Sequence, residues 1–340
     1  MAPTQWPAMN CTTERPVRSG VEFLLRGQGA DGMWRDFMTP AGEASSWPTG
    51  FALSALRAAG VDQSSLARAE HALVECQKPD GGWGYNEATP SDADSTSWVV
   101  LALSKDTHEY ADTRARAAAF LRRHRRHDGG IATYANAGPI RRFTSLPRWL
   151  PFRGWCRPTV EVSAVATRAL RAVDGTVTND SGWRYTQSKQ RPDGSWGAYW
   201  WTTPHVATQQ AVALGASLGR AESIRMAAGW AIPVFDPDGP AFNSALCLSI
   251  VASAIPSDVD TIERMIDALQ RGQLSDGSWP SVPILRIPVP PDTTDSDHRG
   301  WRPIRFQGGL EVADQHCTFT TATCVAALME ARNALAGARQ

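Results

Sequence analysis

The sequence predicts an all-α fold, an α6/α6 toroid in which six helix hairpins close into a double ring. The first observation behind this is a tag: Gln, then Asp-Gly-x-Trp ending six residues after the Gln. It occurs in full at Gln28 with Asp31-Gly32-Met33-Trp34, Gln77 with Asp80-Gly81-Gly82-Trp83, Gln190 with Asp193-Gly194-Ser195-Trp196, and Gln273 with Asp276-Gly277-Ser278-Trp279. Worn copies at Asp128-Gly129-Gly130-Ile131 and Asp236-Pro237-Asp238-Gly239 fill the gaps, which makes six units of one repeat architecture. The second observation is a contrast. Each tag follows a stretch of helical periodicity and precedes an apolar one.

In chain order, Trp47–Ala59 is the first apolar stretch. Ser65–Cys76 then sets Leu66, Ala69, Ala72, Leu73 and Cys76 at spacings of three and four, on one face of an outer helix. The Asp-Gly of the following tag is expected to end that helix, because Gly accepts a left-handed backbone. A second inner helix is expected from near Ser95, where Trp98, Val99, Val100, Leu101, Ala102 and Leu103 leave no polar face. A helix apolar all round is buried all round. Val160–Ala172, Val206–Leu218, Phe242–Ala254 and Phe319–Leu335 are the remaining inner helices.

At 340 residues and 42% apolar content, residues 1–340 read as one domain with a large core, with 1–15 flexible and insertions at 138–158 and 280–312. Zero formal net charge gives a nucleic-acid partner no electrostatic support. No apolar run approaches the ~20 residues of a membrane span, and Met1–Arg15 lacks the basic-then-apolar order of a signal peptide, so a cytoplasmic location is expected. Cys76, Cys247 and Cys324 fall in apolar helical context, while Cys11, Cys156 and Cys317 are scattered. His316-Cys317 is the one adjacent pair, and no third ligand lies at a zinc-site spacing, so no metal is expected.

The tag resembles the repeat signature of the squalene-hopene and oxidosqualene cyclases, whose toroids are tied by Gln side chains stacked on Trp between units. A related toroid also serves protein prenyltransferases, so the tag alone names no activity. The segment Thr89-Pro90-Ser91-Asp92-Ala93-Asp94-Ser95-Thr96-Ser97-Trp98 resembles the Asp-x-Asp-Asp-Thr segment that supplies the acid of class II terpene cyclases. Order along the chain is similar as well: Gly129-Gly130 with the insertion Gly138–Pro158, Pro192–Trp196 with the tail Gly197-Ala198-Tyr199-Trp200-Trp201, then Asp276–Trp279. The resemblance covers nearly the whole chain and one of the two toroids of full-length cyclases. It implies Asp94 as the catalytic proton donor, helped by Asp92 and Ser95, although Ser95 stands where the family has Asp. A His that commonly supports the acid aligns with Val165, while a nearby acidic position is kept as Glu161.

Protonating an alkene needs a carboxylic acid that is neutral at rest, in a cavity that excludes water. Burial beside Asp92 would keep Asp94 protonated, because two close carboxylates cannot both ionise cheaply. Ser95 and Thr96 are expected to donate to the Asp94 carboxylate as the proton leaves. The same Ser/Asp/Thr run also meets the needs of a helix N-cap. Carbocations are stabilised by aromatic faces; the candidates for lining the cavity are Trp47, Trp98, Tyr199, Trp200, Trp201 and His205. In the first insertion Arg141, Arg142, Arg148 and Arg153 alternate with aromatic and aliphatic groups, which suits a membrane interface or a diphosphate tail. Pro280–Pro291 would add a greasy lip, and Arg122–Arg126 reads as a solvated face. The implied function is protonation-initiated cyclisation of an isoprenoid chain, a prenyl diphosphate or a prenylated small molecule. It requires no cofactor, with Mg²⁺ entering only through a diphosphate substrate. A lone toroid leaves one cavity wall open, to be closed by a homodimer, a partner or peripheral contact with a membrane. Two alternatives stand beside this. A protein-prenyltransferase-like subunit would need a zinc set, and Cys247 has Ala245 rather than Asp two residues before it. A glycan-processing or non-catalytic toroid would use Asp92, Asp94 and Glu161 as paired carboxylates, or not at all.

Overall fold

The computed structural model describes residues 11–103, 108–175, 180–296 and 309–338, with side chains from residue 13 onward. Six inner helices form a ring: α2 (Ser46–Ala58), α4 (Ala93–Ala102), α7 (Val160–Asp174), α9 (His205–Ser217), α11 (Ala241–Ala254) and α13 (Thr318–Ala338). Each packs on the next, and α13 packs on α2, so the ring closes. Around it stand the outer helices α1 (Cys11–Arg26), α3 (Gln63–Glu75), α5 (Ala111–His124), α8 (Ser181–Ser188), α10 (Ala221–Val234) and α12 (Val259–Gly272). The expected double ring is the observed one. Residues 1–10, the larger part of the N-terminal stretch read as flexible, and 297–308 of the second insertion lie outside the described residues.

The pattern of burial explains the two layers. In α12 the buried apolar groups Ile262, Met265, Ile266 and Leu269 lie three or four apart on one face. Of the fourteen residues of α11, ten are buried, because it is covered on every side.

The tags work as joints. Each tag Trp is fully buried and its Nε1 donates 2.7 Å to the last turns of its own outer helix, at the carbonyls of Leu24, Leu73, Thr186 and Leu269. Its backbone N–H donates to a hydroxyl on the following inner helix: Thr49, Thr96, Thr208 or Thr321. In the worn third tag Ile131 keeps this bond, to Ser163. The Gln donates back to the carbonyl of its own tag Gly, and Gln77, Gln190 and Gln273 also donate to backbone carbonyls near the start of the next outer helix, at Thr113, Ser223 and Pro16. The last of these bonds joins the final unit to the first. The Gly does not end the outer helix as expected: α3 stops at Glu75 and Gly81, at φ +89°, makes the turn beyond it. There a Cβ would meet the backbone carbonyl of Arg116, so only Gly brings tag and neighbouring helix together.

Among the described residues the fold departs from all-α in three antiparallel hairpins: β1 (Asp36–Thr39) with β2 (Gly42–Ala44), β3 (Trp83–Gly84) with β4 (Ser91–Asp92), and β5 (Pro283–Pro288) with β6 (Gly309–Ala313). They lie in the connections that enter α2, α4 and α13, where buried backbone outside a helix must still find partners. The tail of the fourth tag joins them, through a bridge from Trp201 to Leu285. The first insertion contributes α6 (Ala137–Thr144).

Candidate active site

Helix α4 begins at Ala93, earlier than the expected Ser95, because Asp92 caps it: Asp92 Oδ1 accepts the Ser95 N–H at 2.7 Å. Asp94 therefore occupies the first turn. The Ser95 hydroxyl donates to Asp92 Oδ2 at 2.8 Å, and the Thr96 hydroxyl is spent on the backbone of Trp83. Both were expected to donate to Asp94; neither does. Among the described residues no group donates to the Asp94 carboxyl, and the physical reason is that a residue at the second position of a helix points away from its own cap. Burial, then the charges of Asp92 and Glu161, hold its carboxyl well above the usual range. Burial also pushes Asp92 up to about 6, against the bonds from Ser95.

Glu161, in the first turn of α7, accepts the N–H groups of Tyr199 at 2.7 Å and Trp200 at 2.9 Å on Oε1, which fixes the aromatic tail of the fourth tag. Its Oε2 is buried with no hydrogen-bond partner, and burial raises its carboxyl. Val165, one turn on, is core.

Two spaces meet at Asp94. One is a cavity of about 390 Å³ at the end of the ring where the inner helices begin, lined by Asp92, Asp94 and Ser95 and walled by Trp47, Tyr85, Tyr134, Trp155, Trp200 and Trp201. The other, of about 200 Å³, is the lumen of the ring, which Asp94 and Glu161 share with Trp98, Phe51 and Phe319. The aromatic wall is continuous: Trp47 packs on Phe319 at 4.8 Å and on Trp201 at 5.7 Å, and Trp155 on Trp200 at 5.6 Å. Trp200 is locked by Nε1 donating 2.8 Å to Thr133.

Of the expected lining residues, Trp47, Trp200 and Trp201 line the cavity and Trp98 the lumen. Tyr199 lines neither: its ring lies under the guanidinium groups of Arg157 and Arg286, and its hydroxyl donates to the Asp292 carbonyl. His205 lines neither, since its ring packs on Trp230, and burial lowers it to about 4. None of Arg141, Arg142, Arg148 and Arg153 lines the cavity. Arg141 donates to the Pro147 carbonyl and lies over Phe152, and the other three face outward. Around Arg141 and Arg142 the alternation comes from α6, which turns Ile140 and Phe143 to the cavity. Sequence reasoning missed Tyr85 and Tyr134. Each stands two or three residues past a tag's last position, a signal visible only once the tags are known to end at the cavity. Leu285 and Ile287 of β5 line the rim, as the greasy lip required.

Residues 8–144 match the family of the squalene-hopene cyclase C-terminal domain. The chain is 33% identical over 129 residues to a drimenyl diphosphate synthase of Streptomyces showdoensis, and 28% identical over 227 residues to the squalene–hopene cyclase of Alicyclobacillus acidocaldarius. These alignments cover 36% and 58% of this chain but only 24% and 34% of the relatives' lengths. The whole fold is shared with a variant of the type II terpene cyclase MstE from Scytonema, solved with geranylgeranyl dihydroxybenzoate: TM-score 0.81 at 27% identity, over 95% of this chain and 98% of that one. The chain is thus similar to class II terpene cyclases. It matches MstE over nearly its full length and the larger cyclases over one part. Among the described residues no His, Cys, Asp or Glu cluster could hold a metal ion, and no helix is long and apolar enough to cross a membrane.

Proposed function

We propose that this protein is a single-ring class II cyclase in which Asp94 protonates the far end of an isoprenoid chain and so starts its cyclisation. The observation that carries this is the placement of Asp94: a carboxyl kept neutral by burial and by two neighbouring acids, without a donor among the described residues, on the wall of an aromatic cavity. A neutral acid has a proton to give. The proton passes to one alkene carbon, the other carbon becomes cationic, successive double bonds attack in turn, and the last cation loses a proton to a water molecule, which leaves a neutral isomer of the substrate. Trp47, Trp200 and Trp201 offer their faces to the moving charge. Asp92 and Ser95 act together as cap and charge neighbour, and no cofactor enters these steps.

The substrate follows from the lining. The cavity is apolar apart from its acids and hydroxyls, so it takes the hydrocarbon chain and leaves the head group at the mouth, whether diphosphate (with Mg²⁺) or aromatic acid. The neighbour's prenylated dihydroxybenzoate makes a prenylated aromatic the first compound to try. Phe143 and Leu310 line the cavity and are exposed, and Met38 and Trp149 are exposed on the segments that carry the lining residues Thr39 and Thr144, which suits peripheral contact with a lipid surface from which such a chain would be drawn. The test is product analysis with geranylgeranyl dihydroxybenzoate, farnesyl diphosphate and geranylgeranyl diphosphate. Cyclised, isomeric product from the native protein and none from Asp94→Asn supports the reading; no product from any of the three with folded native protein overturns it for these substrate classes.

A further inference from the structure

Across the lumen the inner helices carry a hydrogen-bonded line of polar side chains. Arg168 on α7 donates 2.9 Å to Gln210 Oε1, Gln210 donates 2.7 Å to Gln209 Oε1, Gln209 donates 3.1 Å to the Ser249 hydroxyl on α11, and Ser249 donates to Glu330 on α13. All five line the lumen into which Asp94 also faces. Every donor points the same way, from the guanidinium toward the carboxylate. Such a string inside a ring of helices is costly to desolvate, and an apolar lumen would hold the ring together as well. Cyclisation itself uses none of it.

Glu330 lies twelve residues after Thr318, so about 18 Å along α13 from the end where Asp94 sits. Its side chain fronts open space although the ring surrounds it. The lumen between the two acids, about 200 Å³, has room for several waters at roughly 30 Å³ each. The catalytic acid needs such a supply. After protonating an alkene Asp94 is an anion sealed beneath a hydrocarbon-filled cavity, and a second turnover requires a proton that does not cross the substrate.

We propose that the lumen is the route by which Asp94 regains its proton, with Glu330 as the group that passes solvent protons into it. This rests on Asp94 being the proton donor. A hydronium ion gives its proton to the Glu330 carboxylate. Glu330 passes a proton to a lumen water as that water chain delivers one to Asp94, which becomes neutral while Glu330 returns to its carboxylate. Amides conduct protons poorly, so Gln209 and Gln210 are positioning residues: they carry the polarity of Arg168 to Ser249, which holds Glu330 toward the lumen.

A substrate-free measurement tests this first. After an alkaline-to-neutral pH jump, time-resolved infrared follows recovery of the protonated carboxyl band of Asp94, identified by its absence in Asp94→Asn. Recovery should slow roughly tenfold or more in Glu330→Gln and by a smaller factor in Ser249→Ala. Equal recovery rates in all three proteins would overturn the route. The second arm is rapid-quench kinetics with geranylgeranyl dihydroxybenzoate. Glu330→Gln should leave the first turnover unchanged, because Asp94 is loaded at mixing, and slow the later ones; first and later turnovers falling by one common factor would make Glu330 merely structural. Absence of cyclised product from native protein would count against the cyclase reading, while the infrared arm still decides the route.

Discussion

Asp92 and Asp94 stand two residues apart and take different tasks because one caps a helix and the other begins it. Asp92 spends both oxygens on Ser95. Asp94 has only a cavity, a lumen and two like charges around it. Asp94→Asn keeps the size and cannot donate a carboxylic proton, so turnover should fall by roughly 10³-fold or more with the melting temperature unchanged. Product formation by that variant at the native rate would remove Asp94 from the chemistry. The pH profile follows from the sign of the shift. The working form is protonated and its affinity for the proton is raised, so activity should persist through the range of an ordinary carboxyl, near ~4, and fall only as pH rises through the elevated value. A rate already falling from pH ~4 upward would show an unshifted acid. Ser95→Ala acts at one remove: it strips a donor from Asp92, so it should cost about 1 kcal/mol in stability and change turnover only severalfold. A loss comparable to that of Asp94→Asn would place Ser95 on the reacting atoms instead.

The joints between elements are where sequence and structure agree most closely and also where they part. A tag is legible because its Trp, Asp and Gly recur at fixed spacing, and the inner helices are legible because they lack a polar face. Their partners are not. The hydroxyls that lock the tags, at Thr49, Thr96, Thr208 and Thr321, follow the Trp by fifteen, thirteen, twelve and forty-two residues. Thr is common enough that no such pattern declares itself. The hairpins escape for a different reason: β3 and β4 have two residues each, too few to show an alternating pattern. Asp94 was legible through its motif, whereas Tyr199 and His205 looked like lining because proximity in sequence does not say which way a ring turns. The closing joint offers a test. Gly277 has φ +94° and a Cβ there would meet the Ser19 backbone carbonyl on α1, while Gly60 has φ +81° and open space. Gly277→Ala should therefore destabilise by about 3 kcal/mol or more, through strain and displacement of α1, and Gly60→Ala by about 1 kcal/mol, through strain alone. Equal losses in chemical denaturation would mean that the joint yields without cost.

At the scale of the molecule the ring supplies rigidity and the two insertions supply the site's cover. The insertion 138–158, with its alternation of Arg and aromatic groups, suits a membrane interface or a diphosphate tail on sequence alone. It is instead clamped to the second insertion. Trp155 Nε1 donates 2.8 Å to the Pro288 carbonyl, Gly154 N–H donates 2.9 Å to Pro290, and Arg157 pairs with Asp295. Phe152 is buried under Arg141 and against Trp155, whereas Trp149 is 80% exposed. Replacing the three aromatic residues together would therefore mix two effects that single changes separate. Phe152→Ser should cost about 3 kcal/mol or more, as an emptied aromatic site does, and Trp155→Ser somewhat less while also opening the cavity wall. Trp149→Ser touches nothing that holds the fold, so its stability should stay within ~0.5 kcal/mol, and its effect should appear as weaker co-sedimentation with anionic liposomes. A Trp149→Ser protein that melts early yet binds liposomes like the native one would make the exposed ring part of the packing and remove the rim's contact with lipid.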